Sequence, residues 1–250
     1  GHSLIQASTI PNCVAYDPAY AYELAVIVQD GMRRMFQEQE SCFYYITAMN
    51  ENYLQPAMPE GSAEGILKGM HRVQTSEAGK DAGSQGPRVQ LLGGGAILRE
   101  ALAAADLLAR DFGVSSDVWS VTSFNELRRE GIDCERWNLL HPEAEPRRSY
   151  VATSLGETRG PIIAATDYMR TYADQIRPYI QRRYTVLGTD GFGRSDMRSQ
   201  LRKFFEVNRY YIALAALKAL ADDGEIPATQ VTQAIAKYRI DPDKPNPVTV

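Results

Sequence analysis

The chain has 250 residues, 44 % of them hydrophobic, with 27 basic against 31 acidic side chains and a formal net charge of −4. This composition can bury a full core in one or two domains. It lacks the basic stripe of a nucleic-acid binder, any apolar run near the roughly 18 residues that span a bilayer, and a charged-then-apolar leader. Three scattered cysteines, Cys13, Cys42 and Cys134, argue against a disulfide framework and for a reducing compartment. With only His2, His71 and His141 beside them, no metal-ligand spacing emerges. These features predict a soluble, cytoplasmic α/β protein with neither nucleic acid nor membrane as partner.

The first predicted element is a helix in YDPAYAYELAVIVQDGMRRMF. Asp17 can cap it, and Pro18 suits the first helical position, where its missing N–H costs nothing. Leu24, Ala25, Val28, Met32, Met35 and Phe36 recur at three- and four-residue steps, which predicts one buried face. SCFYYITAM, rich in aromatic and β-branched residues, reads as a buried strand ending at Asn50-Glu51-Asn52. From His71 to Pro87 the sequence is polar and bears Gly and Ser, as a linker or mobile hairpin would.

Beyond that break, strand and helix alternate. RVQLLGGG is a strand, followed by a helix striped with Leu98, Leu102, Ala105 and Leu108 that stops near Gly113. SDVWSVTS is a strand and FNELRREG a short helix; PIIAATDY is a strand, followed by a helix through Tyr172 and Ile176 that Pro178 ends. RYTVLGTDGF is the last strand, and RYYIALAALKALADDG and PATQVTQAIAKY are closing helices. The alternation predicts an α/β fold with a mostly parallel sheet covered by helices on both faces, preceded by a partial α/β unit. Residues 133–160 interrupt the rhythm, as a functional loop or interface arm would.

Two glycine-rich turns are candidates for chemistry. In LLGGGAILRE, Gly93-x-Gly95-x-x-Leu98 follows a strand and opens a helix, but the third glycine of a dinucleotide turn is missing. The turn is either a plain tight connection or, in a stand-alone Rossmann-like module, a nucleotide- or anion-binding site. LGTDGFGRSD lacks the Gly-Lys-Ser/Thr end of a P-loop, and Asp190 and Asp196 are poorly placed for Mg²⁺. Phe192 at the tip of such a loop suits a contact surface. His71 and His141 read as surface residues, and Glu23 as a helix-face carboxylate.

Longer matches point to a family. Asp190-x-Phe192-Gly193-x-Ser195 resembles the C-terminal domain of transketolase-like, thiamine-diphosphate-dependent enzymes, and TIPNCVAYDPAYAYELA resembles a stretch late in their pyrimidine-binding domain. YYITAMNENYLQPAMPEG, VTSFNELRREGIDCERWNLLHP and LGTDGFGRSDMRSQLRKFFEVN are similar to the homodimeric-type bacterial pyruvate dehydrogenase family, the decarboxylating component of its complex. The resemblance implies the last part of a longer subunit: residues 1–72 as the tail of the pyrimidine domain, 73–86 as a linker and 87–250 as a transketolase-like C-terminal domain. It implies thiamine diphosphate and Mg²⁺ in the full-length enzyme, with pyruvate as substrate. Its implied partners are a second copy of the subunit and the dihydrolipoyl acetyltransferase core. For this chain alone it implies no activity, no bound cofactor, and no cofactor- or metal-binding residue. His2, in Gly1-His2-Ser3, matches a family histidine that reaches the active site; a frayed terminus is the plain reading. Asn50 matches the position where transketolases carry an arginine for a sugar phosphate, which would make it substrate-binding; a strand-terminating turn is the plain reading.

Overall fold

The computed structural model describes residues 1–78 and 86–250. Its first part is helix α1 (Ser3–Ser8), strand β1 (Cys13–Tyr16), helix α2 (Ala21–Met32), strand β2 (Phe43–Ile46) and helix α3 (Ala63–Lys68). β1 and β2 form a two-stranded parallel sheet. The rest alternates: β3 (Met70–Ser76), β4 (Arg88–Gly94), α4 (Leu98–Phe112), β5 (Ser115–Val121), α5 (Phe124–Leu140), α6 (Tyr150–Gly156), β6 (Ile162–Ala165), α7 (Arg170–Asp174), β7 (Tyr184–Leu187), α8 (Arg198–Phe204), α9 (Arg209–Asp222) and α10 (Ala228–Lys237). Its five-stranded sheet has the order β3-β5-β4-β6-β7, parallel except for β3, which pairs antiparallel with β5.

The period of two along each strand splits the core into two layers. Val89, Leu91 and Val118 face α4 and α9, where they meet Leu98, Ala105, Leu108 and Leu217. Leu92, Trp119 and Val121 face the other side and pack with Phe124, Leu127, Val151 and Tyr172. Leu4 and Ala7 of α1 and Cys13 and Ala15 of β1 belong to that second layer, so the first part of the chain is packed onto the larger sheet. Backbone bonds fasten it there: Asp17 N–H donates to Thr122 O (2.7 Å), and Ser123 Oγ donates to Ala15 O (2.6 Å).

Four local expectations change. The first helix begins at Ala21, three residues past Pro18, because Glu23 Oε2 accepts from the N–H groups of Ala19 (2.6 Å) and Tyr20 (3.0 Å) and sets the start there. The predicted apolar stripe of α2 faces outward: Met32 is 58 % and Phe36 75 % exposed, while Glu23, Ile27 and Gly31 are buried. That helix is apolar on two sides, and the side against Val14, Tyr16 and Ile66 is the one covered. β2 is only half-buried, with Phe43 and Tyr45 exposed. Finally, α5 runs on to Leu140, so the long interruption shrinks to residues 141–149, and Asn138 ties its far end back through Arg147 N–H (2.7 Å) and O (2.9 Å).

The polar stretch after His71 also divides. Residues through Ser76 are strand β3, an edge whose outward polar side chains are ordinary for an antiparallel strand with one solvated face. Residues 79–85 of the expected linker lie outside the described residues.

Candidate functional site

Parallel strands deliver side chains to the loops beyond their carboxyl ends, and those loops are where α/β folds place sites. Here the two sheets bring such loops together. β1 runs into Asp17, β2 into Thr47 and Asn50, β4 into the glycine turn, β6 into Thr166 and Asp167, and β7 into Gly188–Asp190.

Asp17 sits at the seam. Thr47 Oγ1 donates to its Oδ1 at 2.6 Å, and Asp17 is buried. Gly95 has φ +48°, and a Cβ there would overlap both Asp17 carboxylate oxygens. The glycine turn is therefore filled by a carboxylate of the same chain, which corrects the reading of it as a nucleotide or anion site. Gly93 has a separate role: a Cβ there would overlap Leu98, so it permits the close strand–helix packing that a third glycine would otherwise give. Burial pushes the Asp17 carboxyl up to about 7; the Thr47 bond opposes this, and Asp167 and Glu23 add to it. Asp167 is raised for the same first reason, burial, against the pull of Arg202.

Beside them lies an ion-pair network. Glu51 meets Arg99 Nη1 (2.9 Å) and Arg202 Nη2 (3.0 Å); Glu100 meets Arg209 Nε (2.9 Å) and Arg202 Nη1 (3.5 Å). Burial raises the Glu51 carboxyl, but the Arg202 bond and the charges of Arg202, Arg99 and Arg198 outweigh it and hold the group low.

Asn50 is exposed, and its side-chain oxygen accepts from the Arg198 guanidinium, which joins the end of β2 to α8. His2 caps α1 through its backbone, its carbonyl accepting from Gln6 N–H (3.0 Å), and its ring is exposed. Gly1 next to it is close to Thr189, and its carbonyl accepts from Met169 N–H (2.9 Å), so His2 borders the β6 and β7 loops. In the loop after β7, Asp190 is engaged by Arg170 (3.2 Å) and Asp196 by its neighbour Met197 N–H (2.7 Å), while Phe192 is 83 % exposed.

His71 is corrected from surface to core. It is 4 % exposed, and its Nε2 lies 2.8 Å from Glu23 Oε1, which also accepts from Ser120 Oγ at 2.6 Å. Glu23 is fully buried, not a helix-face carboxylate, and it joins α2, β3 and β5. His141 is exposed and stacks on Trp137 with ring centroids 4.4 Å apart. Among the described residues, no group of three or more His, Cys, Asp or Glu is arranged to hold a metal ion.

This geometry, two sheets whose carboxyl ends share one seam, agrees with comparisons to known proteins. The model of the transketolase-like C-terminal domain family matches residues 69–208. The chain belongs to that family. The model of the pyruvate dehydrogenase E1 component middle domain matches residues 1–56. The chain is 58 % identical over its whole length to the pyruvate dehydrogenase E1 component of Cupriavidus necator, spanning 28 % of that protein. It is 59 % identical to that of Pseudomonas aeruginosa over 99 % of the chain, and 57 % identical to that of Escherichia coli K12 over 99 %. The chain thus spans little more than a quarter of the curated relatives it matches. Its fold is similar to transketolase from Pichia stipitis in complex with sedoheptulose 7-phosphate (TM-score 0.57, 17 % identity, 89 % of this chain and 27 % of that one). It is also similar to a split-gene transketolase described as an inactive beta4 tetramer (TM-score 0.54, 14 % identity, 88 % of this chain and 61 % of that one). The transketolase C-terminal fold, an α/β sheet with β3 as its antiparallel edge, is the fold of residues 69–208 here.

Sequence reasoning missed Asp17, Asp167 and the Glu23–His71 pair. For the first two a signal was present: each follows an apolar run, CVAY or PIIAAT, at the carboxyl end of a strand. The pair had none, since its members are 48 positions apart.

Proposed function

We infer that the chain is the C-terminal part of a homodimeric-type pyruvate dehydrogenase E1 component. That enzyme is thiamine-diphosphate-dependent, decarboxylates pyruvate in the cytoplasm and passes the acetyl unit to lipoyl groups of the acetyltransferase core. The observation that carries this reading is identity of 57–59 % to named E1 components along the whole chain. No other resemblance in the sequence competes with it: the glycine turn, the basis for a stand-alone nucleotide-binding module, is filled by Asp17.

Within that enzyme, residues 1–72 would be the tail of the pyrimidine domain and 87–250 the C-terminal domain. The strand at Met70–Ser76 supports moving the start of the second unit back to about residue 69. His2 would face cofactor and substrate from the edge of the seam, where an imidazole holds or donates a proton near neutral pH. Asn50 would lie on the substrate side, with its oxygen already engaged by Arg198. Thiamine diphosphate supplies the electron sink for decarboxylation, but the chain's residues do not fit its metal-bound diphosphate. The carboxyls nearest the seam, Asp17 and Asp167, are raised by burial, and a carboxyl held in its neutral form is a poor ligand for Mg²⁺.

The chain alone is therefore expected to be inactive and to self-associate. The exposed side of α2, the half-buried β2 and Phe192 are apolar surfaces of the kind that seek partners. A transketolase of similar fold described as an inactive beta4 tetramer is a parallel case. Calorimetry with thiamine diphosphate and Mg²⁺ tests the reading. The chain alone should show no saturable binding, and adding the rest of the subunit as a separate chain should restore it. A saturable isotherm at about micromolar affinity from the chain alone overturns the reading.

A further inference from the structure

A cleft away from the seam is not used by this reading and does not depend on it. It measures about 520 Å³ and lies between α8, the start of α9 and the residues after α10. That volume is within the range of small-molecule sites. Its walls carry five basic side chains, Arg202, Lys203, Arg209, Arg239 and Lys244, against Glu100 and Asp241. Three of the five are engaged: Arg202 and Arg209 by Glu100, and Lys244 by Glu206 at 3.1 Å. Lys203 and Arg239 form no ion pair with a described residue, and both are exposed. Two unpaired cations on one wall repel each other unless an anion lies between them.

Two further features are independent of charge. Arg239 holds φ +52° and Glu206, which anchors Lys244, φ +63°. Side chains adopt this left-handed region at a cost, and such residues gather where a site is shaped. The cleft also has an aromatic wall. Tyr210 and Tyr238 pack with ring centroids 5.1 Å apart, Tyr210 stays 40 % exposed, and Lys244 lies over the Tyr211 ring. An exposed tyrosine face beside cations suits a flat ring joined to an anion.

We propose that this cleft binds a nucleoside monophosphate, its base on Tyr210 and its phosphate between Lys203 and Arg239. A phosphate monoester carries a charge of about −1.5 to −2 at neutral pH, which two free cations match. The ligand differs from the anion once expected at the glycine turn in place as well as in chemistry.

Calorimetry of the chain with AMP, adenosine and inorganic phosphate as separate probes tests this. AMP should saturate and bind about tenfold or more tightly than either half-ligand. The double variant Lys203→Glu/Arg239→Glu should weaken AMP by about tenfold or more and leave adenosine unchanged. Tyr210→Ala should weaken AMP and leave inorganic phosphate unchanged. Far-UV circular dichroism of each variant should match the parent, since all three side chains are exposed. Absence of saturable AMP binding, or AMP binding that the double variant leaves intact, overturns the site. Equal affinity for AMP and inorganic phosphate overturns the ligand class.

Discussion

The two parallel sheets of this chain are made from the same kind of strand but are covered to different degrees. In the five-stranded sheet, β4 and β6 are flanked by strands on both sides and by helices on both faces. In the two-stranded sheet, β2 is half-buried and the apolar stripe of α2 faces away from the core. Parallel sheets are stable when both faces are buried, and two strands are too few to manage that alone. The smaller sheet is held by what it leans on: a backbone seam, a carboxylate in a glycine turn and the buried Glu23–His71 pair. The comparison teaches that one half of the chain is stabilised by its own core and the other by its attachment.

The attachment is the place to break that difference. Glu23→Ala would leave His71, Ser120 and the N–H groups of Ala19 and Tyr20 without their shared acceptor. Removing one partner of a buried pair costs about 3–5 kcal/mol, and the loss should appear in urea unfolding as release of the β1–β2 part before the rest. Next in size is a paired truncation. Leu91→Ala in the closed core should cost about 2–5 kcal/mol, whereas Met32→Ala on the outward stripe should stay within about 0.5 kcal/mol in the chain alone. Equal losses from the two would remove the distinction.

The Asp17 seam sharpens the comparison through pH. Its folded carboxyl is raised to about 7 from 3.8. Between those values the folded state holds more protons than the unfolded one, so this group's contribution is full at low pH and is lost as pH rises through about 7. The slope should amount to about 2–4 kcal/mol across that window. Urea midpoints at pH 5.5 and pH 8, both chosen to bracket about 7, should differ in the parent more than in Asp17→Asn. Smallest is Phe192→Asp. The side chain is 83 % exposed, so stability should change by less than about 0.5 kcal/mol while sedimentation shows weaker self-association.

How much of this was legible depends on where the information lay. In β4 and β5 the alternation of Val89, Leu91, Leu92, Val118 and Trp119 is local, and the strands follow from it. In α2 the periodicity was equally clear but named the wrong face. A helix apolar on two sides does not say which side its neighbours occupy, and the buried one carries Glu23, whose partners are distant in sequence. β1 escaped notice because four fully buried residues carry no period. The end of α5 was lost because Leu139 and Leu140 are exposed and Pro142 follows closely. At the site, His2 and Asn50 came only through family resemblance. Asp17 and Asp167 required knowing that the ends of two sheets meet.

Hydrogen exchange, read amide by amide, tests the unequal completion of the two sheets most directly. In the chain alone, the amides of β4 and β6 should exchange only through global unfolding. Those of β2 should exchange much faster, and should slow towards the core rate when the rest of the E1 subunit is added. Equal protection of β2 and β4 in the chain alone would contradict the account.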